Sequence, residues 1–433
     1  MPGGFRRKRV REQARLRVDL NGVMQTMIGA SGLTDEGLAA AELRLQEADA
    51  SPMDGLPDDP KAELRLTARF AEEVRGAFDD LVVVGRDATA LVGHAIAMTL
   101  ASPPPPGGLR LHLIDRLDPE RLLGVVAELD LRRTIFDVVS ASGDDVATAA
   151  HFLYIRDLLL KKLGAVEYKR HLVIATGPEG PLRQVVHDEG FGDLALSGAH
   201  EDDGPLLSAA TLFPAACAGV DVRDLVHGAL DLRAHAESVA PAGRLAWRLA
   251  GALALLADRG RRSVVVSSAT AAMAQLADPF QRRLRPVAGS QPAATTGQVR
   301  VFLRCEGHRQ ELEVPKGYED VDGLGYLGGR GFGELAHLQE QTSETALAMR
   351  GIPSLAVIAP ELSAHTVGQL VALVESTARL RRTLLGPEAE PGEAETVVNG
   401  LRLSHGLAGR AGFEAERAEA QRWLARKEAR YVV

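Results

Sequence analysis

Four short apolar runs, each followed by a segment long enough for a helix, fix what the first half of this chain can become. They are "DLVVVG" (80–85), "LRLHLI" (109–114), "TIFDVV" (134–139) and "HLVIAT" (171–176). A strand with apolar residues on both sides needs cover on both faces, and a parallel sheet between helices supplies it. The intervening segments have the required amphipathic spacing. "KAELRLTARFAEEVRGAF" (61–78) repeats Leu64, Leu66, Phe70, Val74 and Phe78, and further helices are predicted over 89–100, 118–129, up to Leu163, and over 180–190. Four prolines at 103–106 close the second of these. After a mainly helical stretch the alternation returns. Strands are expected at 263–268, 299–305 and 354–359, with helices at 333–351 and 363–385. The fold class expected is α/β, with two domains that are each a parallel sheet flanked by helices in three layers. The divisions are an N-terminal extension with the first helices (1–60), a first α/β domain (61–240), a second (241–385), and an irregular Glu/Pro/Gly-rich segment with a terminal helix (386–433).

The chain of 433 residues, 45% hydrophobic, suits two or three packed domains. Its net charge of −8 argues against general affinity for nucleic acid or anionic membrane. No run reaches the ~18 apolar residues of a membrane span, and the basic N-terminus lacks the apolar core of a signal peptide. Cys217 and Cys305 stand alone in apolar surroundings, as buried thiols of a reducing compartment do. A cytoplasmic protein is therefore expected, and its richness in alanine, glycine and arginine is that of a high-GC bacterial genome.

Chemistry concentrates in "SASGDDVATAA" (140–150). A small-residue turn after a buried strand, with a helix behind it, presents backbone N–H groups to an anion. Two carboxylates, Asp144 and Asp145, stand at its mouth. Other motifs have plainer readings. The twelve histidines are scattered, and no metal site is expected. "GGRGFG" (328–333) reads as a turn opening a helix, in preference to a nucleotide loop. "EDDG" (201–204) reads as a solvated acidic loop, in preference to a cation site that would need 6–8 oxygens. "RRKRVREQARLR" (6–17) reads as a frayed extension, in preference to a basic binding arm.

The order of elements resembles the glucose-6-phosphate isomerase family, whose members have two sugar-isomerase (SIS) domains. The phrases that carry the resemblance are "FDDLVVVG", "DRLDPERL", "FDVVSASG", "HLVIATGPEGPLR", "LFPAACAGVDVRDLVHGA", "YLGGRGFGELAHLQEQTSETAL" and "HTVGQLVALVES". They run in order from about Asp80 to Arg381, with a weaker echo in "HGLAGRAGFE". The resemblance implies aldose–ketose isomerisation of a sugar phosphate, no cofactor, and commonly a homodimer.

The motifs that would perform that chemistry are altered. The first phosphate loop reads "GRDATALVG": Thr89 keeps a hydroxyl at the family's serine position, while Arg86, Asp87 and Ala88 replace small residues. In the second loop Ser140 and Ser142 persist, Ala141 replaces a lysine, and Asp144 and Asp145 replace two phosphate-binding threonines. The family's arginine turn becomes Glu201-Asp202-Asp203, with Asp203 at the arginine. The proton-transferring glutamate has no equivalent in "LADPFQRRLRPVAG" (276–289), Ala294 stands for the ring-opening histidine, and no lysine occurs between Lys316 and Lys427. A carboxylate about 4 Å from a phosphate repels it by about 4 kcal/mol per charge pair at an effective dielectric of 20. Losing a positioned base costs roughly 10²–10⁴-fold in rate. The expectation is a family homologue without catalytic residues, kept for a binding, scaffolding or regulatory role. Its former sugar-phosphate cleft comprises Arg86, Asp87, Thr89, Ser140, Ser142, Asp144, Asp145 and Asp203, open to a degenerate small-molecule ligand or a protein partner. The alternative is an active isomerase with relocated catalytic groups.

Overall fold

A computed structural model describes residues 15–53, 60–196, 205–284, 297–307, 310–316 and 323–386. Both alternations form sheets. In chain order the elements are β1 (Arg17–Asp19), α1 (Asp35–Glu47), α2 (Pro60–Ala77), β2 (Asp80–Val84), α3 (Ala88–Leu100), β3 (Arg110–Ile114), α4 (Pro119–Ala127), β4 (Thr134–Ser140), α5 (Val146–Leu163), β5 (Leu172–Thr176), α6 (Pro181–Glu189) and β6 (Gly192–Ala195). There follow α7 (Ala209–Cys217), α8 (Val222–Ser238), α9 (Leu245–Asp258), β7 (Ser263–Ser267), α10 (Ala277–Leu284), β8 (Gln298–Gly307), α11 (Phe332–Met349), β9 (Ser354–Glu361) and α12 (Ala364–Leu385), one-turn helices aside.

The first sheet has the order β3-β2-β4-β5-β6 and is parallel throughout. The interiors of its central strands β2, β4 and β5 are apolar with one exception, because alternate residues serve two cores. Leu81, Val83, Ile135 and Val139 face the large cluster beneath α3 and α7, whereas Val82, Val84, Phe136 and Val138 face the smaller one beneath α5. The exception is Asp137 at the middle of β4, fully buried, with neither carboxylate oxygen hydrogen-bonded. Burial raises its pKa well above the ordinary carboxylate range.

The second sheet has the order β1-β9-β8-β7. Strands β7, β8 and β9 are parallel, but β1 runs antiparallel to β9, with Arg17 opposite Ile358. The parallel core agrees with the expected fold class, and one expectation is corrected: Arg17 is the first residue of a paired strand, not the end of a frayed extension. One added antiparallel edge strand is a common way to close a parallel sheet. On the outer face Arg304 of β8 holds α11 through Glu340 (3.0 Å) and Glu344 (2.8 Å). Strand β6 and helix α10 were not foreseen; β6 is short and half-polar, and α10 lies in a segment read only for the residues it lacks.

The two halves share one continuous core built on α7, α8, α9 and α12. Helices α8 and α12 cross at backbone contact. A Cβ at Gly228 would stand 1.9 Å from the His365 carbonyl oxygen, and one at Gly368 would stand 1.8 Å from that of Leu225. Helix α2 is pinned to α7 by stacking of Phe70 on Phe213, with ring centroids 5.0 Å apart. No helix among the described residues is long and apolar enough to cross a membrane. The terminal helix expected in 386–433 lies outside the described residues.

Candidate functional site

In an open parallel sheet the loops leaving the carboxyl ends of neighbouring strands meet at one edge. Here β2 and β4 are neighbours, so the loops 85–87 and 141–145 lie side by side. The approach is close enough to demand glycine: a Cβ at Gly85 would stand 2.4 Å from the Val139 carbonyl oxygen. Gly143 sits at φ +72°, and its amide donates to Ser140 Oγ at 3.2 Å, so the Ser140 hydroxyl closes the turn. Ser142 is half-buried in the same turn, and Thr89 is buried in the first turn of α3.

Helices α3 and α5 both begin at this edge, and their free N–H groups are what would hold an anion. Each is met by an aspartate of the chain itself. Asp87 is the N-cap of α3: one carboxylate oxygen accepts from the Ala90 amide at 2.8 Å. Its other oxygen reaches across to accept from the Ala141 amide at 2.9 Å, so a single side chain bridges the two loops. Asp145 is the N-cap of α5 and accepts from the Thr148 amide (2.8 Å) and hydroxyl (2.7 Å). Its second oxygen lies 3.5 Å from Nη1 of Arg86. Arg282 of α10 donates to the Arg86 carbonyl at 3.3 Å and so ties the loop to the second half of the chain.

The structure therefore places Arg86, Asp87, Ser140 and Asp145 on the two adjoining loops, with Arg86 paired to Asp145, Asp87 bridging to the Ala141 amide and Ser140 closing its own turn; Thr89 and Ser142 belong to the same segments. Asp144 is 8% exposed, and its Oδ1 has no hydrogen-bond partner. Asp203, Ala294 and the "EDDG" loop lie outside the described residues. The two histidines of α3 and α5 are pushed toward their neutral forms. Burial pushes His94 down to about 4, and it lowers His151 against the opposing pull of Asp145.

Several participants could not be found by scanning for reactive side chains, since Ala90 and Ala141 act through their amides. A signal for Asp87 and Asp145 did exist: an aspartate immediately before an apolar helical run is an N-cap pattern. Glu375 was also missed. It lies on α12, fully buried, and accepts from Arg283 at 2.9 and 2.6 Å, from Arg379 at 2.7 Å and from the Leu206 amide at 3.3 Å. Burial opposes its ionisation, but Arg283 and Arg379 outweigh burial and hold the carboxyl below the ordinary range. Among the described residues no group of three or more His, Cys, Asp or Glu side chains is arranged to hold a metal ion.

No family model matches the chain. A glucose-6-phosphate isomerase of Rubrobacter xylanophilus is 30% identical over 429 residues, covering 89% of this chain and 96% of the relative. One of Carboxydothermus hydrogenoformans is 27% identical over 423 residues, covering 87% and 88%. Among solved structures, a hypothetical protein of Thermus thermophilus superposes with a TM-score of 0.69 at 23% identity, covering 95% of this chain and all of that one. A glucose-6-phosphate isomerase of Chlamydia trachomatis gives 0.66 at 16% identity, covering 91% and 89%. At these identities the two structural likenesses speak for the fold.

Proposed function

The chain belongs to the glucose-6-phosphate isomerase family, and from that premise we propose that it is a member in which sugar-phosphate turnover has been lost. The fold is kept for a binding, scaffolding or regulatory role in sugar-phosphate metabolism. The observation that carries this reading is the Asp87 carboxylate, bound at 2.8 and 2.9 Å by the amides of Ala90 and Ala141. A phosphate entering between the two loops would have to displace that carboxylate, and would meet the charges of Asp144 and Asp145 as well. At about 4 Å and an effective dielectric of 20, each such pair costs about 4 kcal/mol.

Two of the buried carboxylates, Glu375 and Asp137, lend the relocated-base alternative little support. Glu375 is engaged by two arginines that favour its ionised form, which makes it a weak proton acceptor. Asp137 is fully buried in mid-strand, away from any entering substrate.

The test is a coupled assay for glucose 6-phosphate to fructose 6-phosphate conversion on the purified chain, paired with melting scans. No conversion above background is expected, and no rise in melting temperature with millimolar fructose 6-phosphate or 6-phosphogluconate. A ligand at 100 times its dissociation constant would stabilise the fold by about 2.7 kcal/mol, which a melting scan detects. Turnover in the ordinary range of about 1–10³ per second would overturn the proposal and favour relocated catalytic groups.

A further inference from the structure

Away from the strand ends, helix α2 and the start of α8 enclose a groove of about 260 Å³, lined by Leu64, Arg65, Ala68, Arg69, Glu72 and Arg223. Three guanidinium groups around one depression stand out in a chain of net charge −8. Arg65 and Arg69 are four residues apart on α2, so they project from one helix face. Arg223 faces them from the first turn of α8. No ion pair or hydrogen bond of the Arg223 side chain occurs among the described residues. Arg69 has only an exposed contact with Glu73 at 3.4 Å, of a kind that is weak in water. Between the charged walls, Leu64 and Ala68 supply a half-buried apolar floor.

Guanidinium forks on two sides match the oxygens of a phosphate chain better than those of a single phosphate, and they bind such groups bidentately. The volume falls just below the range of about 300–1,000 Å³ for ligand sites, which suits only a small ligand group. Glu72 is the one carboxylate of the lining and offsets part of the attraction of the three arginines for an anion. We propose that this groove binds a polyphosphate group, either inorganic or the tail of a nucleotide, at a site separate from the strand-end loops and independent of whether those loops are active.

The experiment is isothermal titration of the intact protein at about 50 mM salt with inorganic tripolyphosphate and, separately, with adenosine triphosphate. Saturable binding with one site per chain is expected. It should weaken at least tenfold in the double variant Arg69→Glu/Arg223→Glu and stay unchanged in Arg350→Glu, an exposed charge reversal at the C-cap of α11. Tighter binding of the nucleotide would identify the base as seated on Leu64 and Ala68; equal binding would identify the phosphate chain as the whole ligand. Absence of saturable binding by either probe, or equal loss in Arg350→Glu, overturns the proposal. Should the double reversal fail to fold, Arg69→Gln/Arg223→Gln carries the same comparison, with a smaller expected loss of about threefold or more.

Discussion

Replacing Asp87 by alanine tests the geometry at the strand ends most directly. The substitution removes the N-cap of α3, which costs about 1 kcal/mol within a range of about 0.5–2. It also strips the Ala141 amide of its acceptor at a residue only 3% exposed. A buried donor left without a partner costs about 1–3 kcal/mol. The sum, about 2–4 kcal/mol, is a large fraction of the 5–15 kcal/mol that holds an ordinary domain together. Asp87→Asn separates the two parts, because its one amide oxygen can serve only one of the two donors while its NH₂ faces the other. Urea unfolding of parent and both variants gives the stabilities, and hydrogen exchange at the Ala90 and Ala141 amides localises the loss. The expected order is parent, then Asn, then Ala, with faster exchange at both amides in Ala. A loss below about 0.5 kcal/mol for Asp87→Ala, or parity of Asp87→Asn with the parent, would refute the idea that this carboxylate bridges the loops.

Three further outcomes follow from buried groups. Asp137 has a folded-state pKa raised by burial, so its protonated form is favoured in the fold. Its contribution is most favourable below the unfolded aspartate pKa of about 3.9 and is lost as pH rises toward the folded value, so the urea midpoint of Asp137→Asn should gain on the parent as pH rises above about 4. A gap that does not change with pH would mean the carboxyl is not desolvated. Gly368→Ala places a methyl 1.8 Å from the Leu225 carbonyl oxygen and should cost at least about 2 kcal/mol, read as a lowered melting temperature. Arg283→Met leaves Glu375 buried with Arg379 as its remaining cation and should destabilise by about 3 kcal/mol, whereas wild-type stability would show that Arg379 suffices.

Most of the architecture was legible because strands with two buried faces leave a strong mark. "DLVVVG" and "TIFDVV" read as strands of a parallel sheet, and in the structure they pair directly as β2 and β4. Strand β6 escaped because "GDLA" is four residues at a sheet edge, with one buried side chain to mark it. Strand β1 escaped for a related reason: three residues pair through their backbone, and pairing leaves little trace in side-chain pattern. At the candidate site, sequence identified the unusual residues but misjudged what two of them do. Asp87 reads as a replacement for a small residue and Asp145 as a charge that repels a phosphate, yet both are helix caps. The bridge from Asp87 to Ala141 joins residues 54 positions apart, and an alanine amide has no signature at all.

A cradle made from helix N-termini cannot simply be emptied. The first-turn amides of α3 and α5 need acceptors whether or not a ligand arrives, and the positive ends of both helices favour negative charge. A bound phosphate can satisfy both demands only while it is present. An aspartate at each N-cap satisfies them permanently, which is why the exchange of small or hydroxyl residues for Asp87 and Asp145 can raise the intrinsic stability of the ligand-free fold while lowering its affinity for phosphate. The two effects arise from the same oxygens, so they cannot be selected apart. Reverting Asp145 alone would remove one repulsive charge but leave Asp87 bridging the loops; reverting Asp87 alone would free two amides but leave Asp144 and Asp145 at the mouth. On the proposed reading, loss of ligand at this site would be held in place by stability as well as by charge, and the surrounding sheets would not need to change for it to persist.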